Sequence, residues 1–216
     1  MDFAVTDAVR ESKPGYGGIA LLYSGLLRCD KVDLPLTSTF EALCTRFKVG
    51  CSAWLLLTIY HPGSSHLTST FFHELATVLE TLVTHRCPVV TGGDINIHVE
   101  NQSDVNASCL LELLSSMDLQ QHVLSPTHQA GGMLDLVITF NDLGVEELTV
   151  EPPGIVSDHS LISDHLQSTD LLLRHLLDEF AAGVTLTGLH CIHTSSTVRS
   201  IVHRRPQPRR RAVSNV

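Results

Sequence analysis

Residues 87–100 read CPVVTGGDINIHVE. A short apolar run, Pro88-Val89-Val90, stops at Gly92-Gly93. At once it delivers a carboxylate, Asp94, and two residues on a carboxamide, Asn96. An apolar run of that length, bounded by turn residues, reads as a buried strand. Its end presents two polar groups together, and loops at strand ends are where rigid scaffolds place functional side chains.

The same pattern continues on both sides. Upstream, GGIALLYS (17–24) reads as a strand. FEALCTRFKV (40–49) alternates apolar and polar residues, as a half-buried strand does. SAWLLLTIY (52–60) is apolar throughout, so both its faces are covered. Gly50 between these two predicts an antiparallel hairpin. From residue 69 to 86 the period changes. Phe71, Phe72, Leu75, Val78, Leu79 and Leu82 fall on one helical face, with Thr68 or Ser69 to cap it. Downstream, residues 104–117 repeat that pattern through Ala107, Leu110, Leu111, Leu114 and Met117. LDLVITF (134–140) and VEELTV (145–150) read as strands around an NDLG turn. Strands mixed with helices, some paired by hairpins, predict a mixed α/β sheet sandwich.

Bulk properties narrow the function. Six cysteines are scattered with no CxxC pair, which argues against a zinc ribbon or a redox motif. No run of about 18 apolar residues predicts a membrane span. Residues 1–16 lack the basic start and apolar middle of a secretion signal, so an intracellular chain is expected. Net charge is −9, unevenly spread. Residues 199–216 hold 6 of the 14 basic residues and no acid, leaving 8 basic against 23 acidic residues before them. An acidic body handles phosphate when a divalent cation stands between them. HExxH, GxxxxGK[ST] and GxSxG are all absent.

The polar groups at strand ends fit phosphodiester hydrolysis. A water must be oriented or deprotonated, which a carboxylate does, and Asp94 is the candidate. Charge growing on phosphate oxygens must be met by hydrogen bonds, a cation, or both; Asn96 can hold the phosphate and Asp158 can bind metal. A histidine held by an aspartate is fixed in orientation, and Asp135 can pair with His159. Tyr60 ends a strand beside His61 and Pro62. Taken singly, each has a plainer explanation. Gly-Asp after a strand is most often turn chemistry. Asp135 can be a strand-end cap, Tyr60 a half-buried core tyrosine, and Asp-His dipeptides are common.

Their order and spacing carry more. GDINIHV, then LLELLSSMDLQQHVLSPTHQAGGMLDLVIT, then SDHSLI resemble the endonuclease/exonuclease/phosphatase family. Within it the chain most resembles the apurinic-type endonuclease domain of vertebrate non-LTR retrotransposons. GYGGIALLYSGLL, FEALCTRF and LLLTIYHPG fit the same domain upstream, in order. The resemblance implies a two-sheet β-sandwich flanked by helices and Mg2+-dependent (or Mn2+-dependent) nicking of DNA. It makes Tyr60 a phosphate contact, Asp94 the water-orienting acid and Asn96 its partner. It makes Asp135 the acid that holds the histidine, Asp158 a metal-side acid and His159 the phosphate-facing histidine. The family often has Arg where His61 stands, which implies a weaker phosphate contact here.

The resemblance departs at the front. The family opens with a strand bearing an asparagine and a strand bearing a metal-binding glutamate, both ahead of the GGIALLY strand. Only sixteen residues precede Gly17, and Glu11 sits too close to that strand to serve. The expectation is therefore a partial sandwich lacking its first strands. Residues 1–12 are a leader, 13–162 the endonuclease-like domain, 163–198 a weakly helical extension and 199–216 a basic tail expected to be disordered. Two functions follow: a metal-dependent DNA endonuclease, or a catalytically inactive remnant acting, if at all, as a binding or interaction module. The run RRPQPRRR is a solvated tail or a nucleic-acid or nuclear-import element.

Overall fold

A computed structural model describes residues 3–10, 18–49, 52–154 and 157–166. Six strands form the main sheet: β3 (Arg28–Val32), β4 (Glu41–Val49), β5 (Ser52–Tyr60), β6 (Val89–Asp94), β7 (Leu119–Gln121) and β8 (Asp135–Phe140), in the spatial order β3-β4-β5-β6-β8-β7. Only β5 and β6 run parallel. A parallel pair needs a crossover, and helix α1 (Ser69–Val83) supplies it. The expected β4–β5 hairpin is present, with its Gly50 turn outside the described residues.

Helix α1 and helix α2 (Val105–Ser116) cover one face of this sheet. Phe71, Leu75, Val78 and Leu82 of α1 and Leu110 and Leu114 of α2 are buried against Leu55, Leu57, Ile59, Leu136 and Ile138. Phe71 is wholly buried, and cutting such a ring to alanine costs about 3–5 kcal/mol. Asp104 caps α2, its carboxylate accepting from the Asn106 amide at 2.8 Å. Thr68 precedes α1 in extended backbone but makes no side-chain cap bond. No helix among the described residues is long and apolar enough to cross a membrane.

The opposite face carries a second, smaller core. Ile19 and Leu21 of β2 (Gly18–Ser24) pack on Leu43, Leu56, Tyr60 and Val90. Strand β1 (Phe3–Val9) pairs antiparallel with β2, so a two-stranded layer lies over β4 and β5. This is the sandwich arrangement the sequence predicts, with helices outside one sheet. Strands β9 (Val145–Val150) and β10 (Ile162–Leu166) form a further antiparallel pair.

Described strands reach beyond the expected domain at both ends. Most of the stretch read as a leader is β1. Its larger apolar side chains, Phe3, Val5 and Val9, face outward, and Ala4, Thr6 and Ala8 lie on the more covered side. Strand β10 runs past the boundary drawn at residue 162. The rest of the expected helical extension and the basic tail lie outside the described residues.

Candidate active site

The sheet register builds the site. Glu41 of β4 is the direct partner of Tyr60 of β5, Tyr60 of Asp94 of β6, and Asp94 of Asp135 of β8. Directly paired residues project to the same face. That face is the one Leu56 and Val90 share, since four residues is an even spacing along a strand. A row of four polar groups therefore crosses one end of the sheet, on the side away from the helices.

Gly92-Gly93 makes this end of β6 possible. Gly93 has φ +137°, and a Cβ there would stand 2.0 Å from the Ile59 carbonyl oxygen. No side chain fits that approach. Two residues on, Asn96 takes φ +55°, a left-handed conformation that asparagine tolerates. This turn folds Asn96 back on Asp94. Its amide nitrogen donates to Asp94 Oδ1 at 3.1 Å, and its side-chain Nδ2 donates to Asp94 Oδ2 at 3.0 Å and to the His61 carbonyl at 3.2 Å.

Asp94 is buried to 2% exposure. Burial, then the nearby Asp135 carboxylate, pushes its carboxyl up to about 7. His159 arrives from the loop after β9. Its Nδ1 lies 2.8 Å from Asp135 Oδ2, and its Nε2 lies 4.0 Å from Asp94 Oδ2. The Asp135 hydrogen bond raises the His159 pKa, against the pull of burial. One ring thus bridges two carboxylates, as the sequence pairing of Asp135 with His159 anticipates.

Loop 127–134 fixes both partners. Thr127 is fully buried, and its Oγ1 accepts from the Leu134 and Asp135 amides, each at 3.0 Å. Its carbonyl accepts from the Ser160 amide at 2.7 Å, and the Gln129 amide donates to the Asp158 carbonyl at 2.9 Å. Asp158 itself is turned outward, with its side chain 60% exposed and His128 Nε2 at 3.5 Å from Oδ2. Slight burial pulls its carboxyl up, but its own backbone amide and the His159 and His128 side chains outweigh that and hold it below the ordinary value.

The remaining residues divide between the two faces. Tyr60 joins the row at 8% exposure, its hydroxyl pKa raised by burial and by Asp94 and partly offset by Arg10. The Arg10 guanidinium lies over the Tyr60 ring, 5.7 Å from its centroid, and is ion-paired with Glu41. His61 goes the other way. Its ring is buried on the helix side, edge-on to Phe71 at 5.1 Å, with no hydrogen-bond partner for either nitrogen. Its ring therefore lies on the face of the sheet opposite Tyr60 and Asp94.

Two groups among the described residues are suited to an ion: Asp94, Asp135 and His159, and His128, Asp158 and His159. In each, one ligand atom per residue lies within 4.8 Å of the others. Asp94, Asn96, Asp135 and His159 are brought into direct contact, Tyr60 stands beside Asp94, and Asp158 flanks them from outside. Four residues of the site escaped the sequence reading: Arg10, Glu41, Thr127 and His128. Only Glu41 carried a signal, a glutamate opening an otherwise apolar-alternating strand, where acids are disfavoured.

Comparison with known proteins agrees with this fold. The family described as endonuclease-reverse transcriptase matches residues 54–163. No curated protein sequence matches the chain. Among solved structures, the endonuclease domain of TRAS1, a telomere-specific non-LTR retrotransposon, is similar at TM-score 0.63 and 12% identity, over 78% of this chain and 81% of that one. The 3′ phosphatase NExo from Neisseria, bound to a product DNA hairpin, is similar at TM-score 0.57 and 13% identity, over 77% and 80%. The AP endonuclease LMAP from Leishmania major is similar at TM-score 0.53 and 14% identity, over 73% and 68%.

Proposed function

Because this chain belongs to the endonuclease/exonuclease/phosphatase family, whose chemistry is phosphoester hydrolysis, we propose that it cuts DNA phosphodiester bonds with the help of a divalent cation. The observation that carries the reading is the His159 ring held between Asp135 and Asp94 at the end of the sheet. A scissile phosphate is the substrate group such an arrangement suits. DNA is favoured because the similar folds include a retrotransposon endonuclease domain and a phosphatase bound to a DNA product.

The donor set fits a hard cation. Asp94 and Asp135 face each other closely enough for Asp135 to raise the Asp94 pKa, so positive charge there relieves repulsion. Asp158 presents an outward carboxylate beside them. Mg2+ takes one or two carboxylates and keeps several waters, which this set permits. Asp158 would hold the ion. When bound, it neutralises charge on the phosphate oxygens.

The chain's own groups do the rest. Asp94, ionised, orients the attacking water and accepts its proton. Asn96 fixes that carboxylate through two hydrogen bonds. Asp135 accepts from His159 Nδ1–H and raises the ring's pKa, which favours the doubly protonated imidazolium, whose Nε2–H donates to the phosphate. Tyr60 directs its hydroxyl at the phosphate. Arg10, lying over that ring, supplies positive charge to an otherwise acidic face.

The test is plasmid nicking by the full chain in Mg2+ or Mn2+. Wild type nicks, EDTA stops it, and Asp94→Ala and His159→Ala each lose at least about 100-fold. Nicking that survives both substitutions removes these roles. A folded wild-type protein that binds DNA and never nicks it establishes the non-catalytic binding module instead.

A further inference from the structure

His128 stands in one of the two groups suited to an ion but has no part in the chemistry proposed above, yet the fold places it with care. Its backbone forms a β-bridge with His159. Its ring meets the His159 ring edge-on, with centroids 4.8 Å apart and planes at 74°. The Ala130 amide donates to His128 Nδ1 at 3.1 Å. That bond fixes the chemistry of the ring. A nitrogen that accepts carries no proton, so the proton of the neutral imidazole sits on Nε2. Nε2 is the atom that faces Asp158 Oδ2 at 3.5 Å.

Asp158 and His159 are neighbours in sequence, and each faces a residue of the 128–135 segment. Asp135 holds His159, and His128 faces Asp158. The two pairs are of opposite sense. In one an acid orients a histidine; in the other a histidine orients an acid. Asp158 needs such a partner, since an exposed aspartate samples several rotamers and a metal requires one.

We propose that His128 is a positioning residue. Its Nε2–H, directed by the Ala130 amide, holds the Asp158 carboxylate in the orientation that receives a divalent cation, while its ring backs His159. This rests on the hydrolytic reading, through the role given to Asp158. It also makes a specific demand on chemistry at one atom. A donor is needed where Nε2 stands, and a donor at the Nδ1 position does not serve. Glutamine places its amide nitrogen near the first position and asparagine near the second.

The experiment is Mn2+ binding by the full chain, followed by electron paramagnetic resonance. Wild type is compared with His128→Gln, His128→Asn and Asp158→Ala, each first shown by circular dichroism to be folded. Asp158→Ala identifies which bound Mn2+ belongs to this site. His128→Gln is expected to bind that ion within about threefold of wild type, and His128→Asn about tenfold more weakly, the usual consequence of losing an outer partner of a metal ligand. Equal affinity in the two variants overturns the assignment, because a packing role would not separate the two amides in this way. A folded wild type that neither binds Mn2+ nor nicks DNA overturns the hydrolytic reading, and this assignment with it. Wild-type binding with both His128 variants unaffected overturns only His128.

Discussion

Asp94 and Asp135 face each other directly across the antiparallel β6–β8 ladder. Like charges at directly opposed positions destabilise a sheet. Here the cost appears as a carboxyl on Asp94 raised from 3.8 to about 7 by burial and by its neighbour.

In metal-free buffer this pair sets a pH dependence of stability. Between pH 3.8 and about 7 the folded chain keeps a proton on Asp94 that the unfolded chain has released. Stability from this site is therefore present at low pH and lost as pH rises through the folded value. The raised His159 pKa acts in the same direction above 6.5. Asp94→Asn is expected to gain on wild type steadily from pH 4 to about pH 7, in urea denaturation at each pH. A constant difference between the two would contradict the raised carboxyl.

Asp135→Asn keeps a hydrogen-bond acceptor for His159 but removes a charge. Nicking is expected to fall about 10–100-fold. The whole bell-shaped pH profile should also move to more acid values. His159 loses the hydrogen-bonded charge that raises its pKa, and Asp94 loses the like charge that raises its own. A fall in rate with an unmoved profile would mean that Asp135 acts by packing alone.

Gly93→Ala tests the backbone beneath the site. With φ +137° and a Cβ 2.0 Å from the Ile59 oxygen, β6 and β5 must separate to admit it. The expected loss is about 3 kcal/mol or more in chemical denaturation. A loss under about 1 kcal/mol would show that this strand end relaxes freely.

His61→Leu is expected to stabilise the chain by about 1 kcal/mol, because a buried imidazole with no hydrogen-bond partner gives way to an apolar side chain. Burial holds the His61 pKa below 6.5, so below that pH the unfolded chain takes up a proton that the folded chain refuses. The stability this group contributes is thus lost as pH falls, and the gain from leucine should widen toward acid. Nicking should be unchanged, since the ring lies on the helix side. A drop in nicking with folding intact would place His61 on the site face.

What the sequence disclosed follows from how local each signal is. Helices α1 and α2 lie within the expected ranges because their apolar periodicity is repeated over three or more turns. Asp94, Asn96 and Asp135 were legible because each sits at or just beyond the end or start of an apolar strand, and His159 because it follows Asp158 in a loop between strands. Strand β3 was missed because RCDKV is a polar edge strand, and β7 because it is three residues long. Strand β1 was missed because its large apolar residues face outward, against the usual alternation. Arg10 and Glu41 stand 31 residues apart, and His128 gains its surroundings from a bridge to His159. Contacts of that range leave no trace in a window of neighbouring residues.

The two faces of the central sheet answer to different demands. Phe71, Leu75, Leu110 and their partners on the helix side hold the fold, and their side chains lie on the face opposite the Tyr60–Asp94–Asp135 row. A chain released from selection could therefore lose its chemistry while keeping its shape. Drift would favour that loss, because replacing either facing acid with a neutral residue relieves the repulsion between them. A row still complete, in a protein that would be steadier without it, is a feature that stability alone does not explain.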